Sequence, residues 1–109
     1  MKVMQKKLKP TAYELKLEKL RAEINKQDQS LLLVLKKRYL IVKKIANLKA
    51  AHKLSILQKT RWKTIIENRV MLGNKMGLDS AFTKKLMKLI HNESIRLQLT
   101  VKNKKQRKS

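Results

Sequence analysis

Steps of three and four residues from Leu17 meet Leu20, Ile24, Gln27, Leu31, Val34, Arg38, Ile41, Ile45, Leu48 and His52. Apolar residues at that spacing line one face of an α-helix, and no glycine or proline interrupts them. Pro10 stops any helix before it. Thr11 with Glu14 three residues later has the capping-box pattern. The pattern predicts a helix from about Ala12 to about Lys53. At ~1.5 Å per residue the stripe alone is roughly 50 Å long. A small domain cannot cover a stripe of that length, so it needs a partner chain or a long return path.

Ser55 begins a short connection. A second helix is expected from about Gln58 to Leu72, with Ile65, Ile66, Arg69 and Val70 at helical spacing. Gly73 and Gly77 bracket its end, where left-handed backbone costs a glycine little. Asp79 is a strong N-cap for a third helix, with Phe82, Leu86, Leu89, Ile90 and Leu97 on its packing face and an end near Val101. The expected organisation is a basic N-terminal extension (residues 1–11), an all-α domain of three helices (residues 12–101) and a basic, disordered tail (residues 102–109).

Composition supports this picture. Leu, Ile and Lys dominate the 109 residues, with two glycines, one proline and one tryptophan, and the modest core favours an oligomer. Cysteine is absent, which excludes disulfides and thiolate chemistry. No apolar run approaches the ~20 residues of a membrane span, so the expected compartment is the cytoplasm. The net charge of +22 has two readings. Counterion release from a phosphate backbone would make the chain a basic helical nucleic-acid-binding protein. A compositional drift toward lysine would make the charge incidental, and lysine does supply 23 of the 29 cations. Charge alone does not separate them.

The position of particular polar residues does. Arg38 and Lys49 are 11 residues apart, almost three whole turns, and so share a face roughly 16 Å apart along the axis. Ser94 and Gln98, at i and i+4, share a face of the third helix, with His91 one turn earlier. Arg21 lies roughly 25 Å from Arg38 along the first helix and about a quarter turn round. An antiparallel second copy could supply it across an interface. Taken singly, each has a bland reading: Arg38 and Lys49 reaching outward to solvent, Ser94 and Gln98 as a solvated face, His91 as an ordinary histidine. No acids show catalytic pairing and no cluster resembles a metal site. A reaction that needs neither is a unimolecular rearrangement of a bound anion, in which the protein only folds the substrate and places charge.

The series Leu20-Arg21-x-x-Ile24-x-x-x-Asp28, Leu31 to Leu35, Arg38, Lys49, Gln58 to Trp62, Gly73, Gly77-Leu78-Asp79 and Glu93-Ser94-Ile95-x-x-Gln98 resembles the all-helical chorismate mutases. It covers about Leu17 to Gln98 without a gap. Gln58-x-x-Arg61-Trp62 and Ile90-His91-x-Glu93-Ser94-Ile95-Arg96 resemble the branch often fused to the synthase of the first shikimate-pathway step. The resemblance implies three helices per chain, entwined as a homodimer with the long helices antiparallel. It implies conversion of chorismate to prephenate for phenylalanine and tyrosine synthesis, without cofactor or metal. Arg21 would be donated by the other chain. Arg38 would fork onto a substrate carboxylate, Lys49 would contact a carboxylate and the breaking ether oxygen, Gln98 the same oxygen, and Ser94 a carboxylate. Many relatives have Asp at the position of Gln58 and Glu at that of Trp62, acids that grip the ring hydroxyl. Gln58 can still hydrogen-bond it, whereas Trp62 has no acceptor.

Three readings follow: a chorismate mutase, a basic nucleic-acid binder, and a degenerate mutase acting as a regulatory or binding module. Elimination of pyruvate from isochorismate, on the same fold with similar cations, is a variant of the first. A nucleic-acid binder has no reason to put Arg38 on the burying stripe or Lys49 beside it. The expected partners are chorismate and a second copy of the chain. A synthase in trans is compatible with them; a membrane and nucleic acid are not expected.

Overall fold

The computed structural model describes residues 9–108. They form three helices, α1 (Ala12–Ala51), α2 (Lys59–Lys75) and α3 (Ser80–Lys108), with no strand among the described residues. The all-α expectation holds. Most of the expected N-terminal extension, residues 1–8, lies outside the described residues, as does Ser109.

Local chemistry sets the helix ends. The Thr11 N–H donates to Glu14 Oε1 at 2.7 Å and the Glu14 N–H to Thr11 Oγ1 at 3.0 Å, a reciprocal box that satisfies two otherwise orphaned donors. α1 stops two residues before the expected Lys53. Lys53 adopts a left-handed φ of 53°, and the Leu54 N–H turns back to the Lys49 carbonyl at 2.8 Å. Asp79 caps α3 by accepting from the Phe82 N–H at 2.9 Å.

Two expectations are corrected. α2 runs past Gly73 to Lys75, and the left-handed turn falls only at Gly77, with φ 89°. Gly73 instead serves packing. It is buried, and a Cβ there would lie 2.9 Å from Thr83 Oγ1 and 3.0 Å from Thr83 Cγ2. Thr83 cannot swing aside freely, since its hydroxyl donates to the Asp79 carbonyl at 3.0 Å. The second correction is at the C-terminus: α3 does not end near Val101 in a disordered tail but continues to Lys108. The added residues include Lys, Gln and Arg, which favour helix, and no Gly or Pro.

Packing divides the chain into two units, one ending at Lys37 and one beginning at Arg38. None of the described residues of the first unit is buried, and Leu20, Ile24, Leu31 and Val34 of the apolar stripe are each more than half exposed. In the second unit α2 packs against α3. Val42, Ala46, Ile66 and Leu97 are its buried apolar residues, and Thr83, Ser94 and Gln98 are buried with them. Phe82 and Leu89, expected on the packing face of α3, are exposed. The apolar pattern of α3 is broader than the surface that its neighbours cover.

Candidate active site

The site residues of the second unit come from the end of α1 and the middle of α3. The 11-residue spacing brings Arg38 and Lys49 to one face, and the i, i+4 spacing does the same for Ser94 and Gln98. The two faces meet. Arg38 Nη1 donates to Ser94 Oγ at 2.6 Å, and that hydroxyl donates onward to the Ile90 carbonyl at 3.0 Å. Lys49 Nζ donates to Gln98 Oε1 at 3.0 Å and to the Ile56 carbonyl at 2.8 Å. An ammonium has three donors, so one is left for a ligand. Ser94 and Gln98 are each only 7% exposed. The solvated-face reading therefore fails for them, and the two cations turn inward to neutral acceptors.

The electrostatics follow from that choice of partner. Burial lowers the pKa of Lys49. Burial, and then the like charge of Arg69, lowers that of Arg38. An anion bound here would relieve both. Among the described residues no group of three or more His, Asp or Glu could hold a metal ion.

An aromatic pair borders the cations. Trp62 of α2 stacks on His91 of α3, with ring centroids 3.8 Å apart and planes 15° from parallel. Burial first, then the charges of Arg38 and Lys49, push the His91 pKa down. Next to Lys49 lies a cavity of about 550 Å³, lined by Lys49, Ile56 and Gln98 and by Lys102, Lys105 and Gln106 of the α3 extension.

The arrangement provides fixed positive charge, hydrogen-bond donors and partial exclusion of water, and among the described residues no carboxylate pairs with Arg38 or Lys49. Residues 20–99 match the family model of chorismate mutase type II. The chain belongs to the chorismate mutase type II family. Chorismate mutase is an isomerase, and this is the function of the domain; a purely nucleic-acid-binding role gives way to it. No individual curated protein matches the chain.

The mutase family's expected site residues fall into two groups. Arg38 with Ser94 and Lys49 with Gln98 form two hydrogen-bonded pairs between α1 and α3. Arg21, in the first unit, makes an exposed ion pair with Glu18 at 3.1 Å. Gln58 is the exposed N-cap residue of α2, and its side chain makes no capping bond. Trp62 is engaged with His91.

Sequence reasoning missed the Trp62–His91 stack, the charge of Arg69 near Arg38, and the cavity wall made by Lys102 and Lys105. The last had a signal. Ser94, Gln98, Lys102 and Lys105 follow one another at spacings of four, four and three, a single helical face.

Proposed function

We propose that the chain rearranges chorismate to prephenate as an antiparallel homodimer, with Arg38, Lys49, Ser94 and Gln98 of one chain and Arg21 of the other at each site. The observation that carries the reading is the pair of half-buried, hydrogen-bonded contacts Arg38–Ser94 and Lys49–Gln98. Chorismate carries two carboxylates. Arg38 forks onto one, beside the Ser94 hydroxyl. Lys49 serves the other and the ether oxygen. The carbon–oxygen bond breaks ahead of carbon–carbon bond formation, so negative charge grows on that oxygen. A fixed ammonium favours this state over the substrate and lowers the barrier. With its carbonyl held by Lys49, Gln98 has its amide N–H groups left to donate to the same oxygen.

The dimer is supported by the exposed apolar residues Leu20, Ile24, Leu31 and Val34, a stripe that a second α1 would cover. Arg21 flanks that stripe, and its exposed ion pair is weakly held. Gln58, free of capping duty, is available to donate an amide N–H to the ring hydroxyl oxygen. The motifs around Arg61-Trp62 and His91 to Arg96 support the synthase-linked branch and, with it, a role in phenylalanine and tyrosine synthesis; a synthase partner in trans is compatible with that branch, and the proposed location is the cytoplasm. Among the described residues no helix is long and apolar enough to cross a membrane.

The test is direct. Purified protein mixed with chorismate should consume its ultraviolet absorbance and yield prephenate. No turnover, or release of pyruvate, would overturn the reading. Light scattering at micromolar concentration should give a dimer; a folded monomer would remove the cross-chain role of Arg21.

A further inference from the structure

Chorismate carries a ring hydroxyl as well as its carboxylates. A hydroxyl that leaves water needs an acceptor, or the complex loses about the strength of one hydrogen bond. The described side chains around the cations can be audited for one. Arg38 and Lys49 are donors only, and so is the Trp62 indole. Ser94 Oγ receives Arg38 and donates to Ile90, so one lone pair is left on a side chain that is itself buried. Gln98 Oε1 receives Lys49, which leaves it one lone pair beside that ammonium, and Gln58 sits at the exposed start of α2, where its side-chain carbonyl is open to water.

His91 differs from all of these. It stacks on Trp62, which fixes the plane of the imidazole, and neither ring nitrogen makes a hydrogen bond. Neither nitrogen is buried without a partner, so both are open to a ligand. The ring lies one helical turn before Ser94, close enough to Arg38 and Lys49 to feel both charges. Those charges, after burial, work against its protonation, and a neutral imidazole keeps one nitrogen as an acceptor.

We infer that His91, held by its stack on Trp62, accepts the hydrogen bond of the substrate's ring hydroxyl and so orients the ring between Arg38 and Lys49. The assignment rests on the proposed mutase reading. It also gives Trp62 a task. A residue with no acceptor of its own supports the one that has it.

The experiment uses two substrates, chorismate and an analogue lacking the ring hydroxyl. His91→Phe keeps an aromatic ring against Trp62 but has no acceptor. It should lower kcat/KM for chorismate by roughly tenfold and leave that for the analogue within about twofold, because only chorismate has a hydroxyl to strand. His91→Gln, which restores an acceptor oxygen, should recover part of the loss for chorismate alone. Equal losses on both substrates would mean that the ring only packs, and no loss on either would mean that the hydroxyl is held elsewhere. Both results overturn the assignment. The wild type offers a check that needs no substitution. Its preference for chorismate over the analogue should shrink as pH falls below the usual imidazole range, because burial and then the charges of Arg38 and Lys49 hold the His91 pKa down. The charged groups that act on the ring as pH falls, Arg38 and Lys49 of α1, stay protonated. An unchanged preference would overturn the assignment. A wild type that turns over neither substrate refutes the mutase reading itself and the inference with it, whereas an active wild type with an indifferent His91→Phe refutes the inference alone.

Discussion

α3 bears two kinds of basic contact, and they are built oppositely. On its outer face Arg96 grips Glu93 through two hydrogen bonds of 2.8 and 2.6 Å, with both side chains more than half exposed. The pairing lowers the pKa of Glu93 and raises that of Arg96. On its inner face Ser94 and Gln98, buried, receive Arg38 and Lys49. There the partners are a hydroxyl and an amide, and burial lowers the pKa of each cation. Charge is thus cancelled where water would have screened it anyway, and left standing where water is scarce. A half-buried cation without a counter-ion works against the empty protein. The same cation is what a dianionic substrate can use.

The largest test of this contrast is Lys49→Ala. It should lower kcat by roughly two to three orders of magnitude, the usual cost of one preorganised donor to a developing anion, with far less change in KM. A folded variant with turnover close to the parent would remove Lys49 from the chemistry. Arg38→Ala and Arg21→Ala should each lose most activity. A mixture of the two should recover about a quarter of the sites after random subunit exchange, since only mixed dimers carry an intact site, one of their two. No recovery after verified exchange would refute the cross-chain arrangement.

Gln98→Glu gives the inner face an outer-face pair. A carboxylate against Lys49 should cut kcat/KM at neutral pH by roughly tenfold or more. Lys49 holds the new carboxyl's pKa down, and only its protonated form can donate to the ether oxygen. Activity should therefore rise as pH falls toward that lowered value, and a flat profile would count against the role of Gln98. Lys102→Ala with Lys105→Ala should raise KM by only a few-fold, by weakening the attraction of the cavity for a dianion, and the effect should fade in high salt. A loss of kcat that persists in salt would give the α3 extension a part in the chemistry. Glu93→Gln should leave turnover within about twofold; a larger loss would erase the distinction between the two faces.

What could be read from the sequence was what short-range geometry encodes. Thr11–Glu14 and Asp79–Phe82 are i, i+3 contacts, and a capping rule finds them. The common face of Arg38 and Lys49 follows from helical pitch. The Trp62–His91 stack joins two helices, and neither periodicity states which residues will face each other. Gly73 looked like a terminator, because glycine ends helices and also admits close packing, and only Thr83 shows which applies here. Residues 102–108 read as disorder from their charge, yet a run of Lys, Gln and Arg carries adequate helix propensity.

The chain has one tryptophan, so its indole fluorescence has a single source, and that source lies 3.8 Å from an imidazole. A protonated imidazole takes an electron from an excited indole and darkens it; a neutral one does so far less. The brightness of the protein therefore reports the charge on His91. An anion settling on Arg38 and Lys49 cancels the repulsion that disfavours protonation of that ring. In mildly acidic buffer, occupancy of the two cations by an anion without a ring hydroxyl should be visible as dimming, even in a variant that turns nothing over.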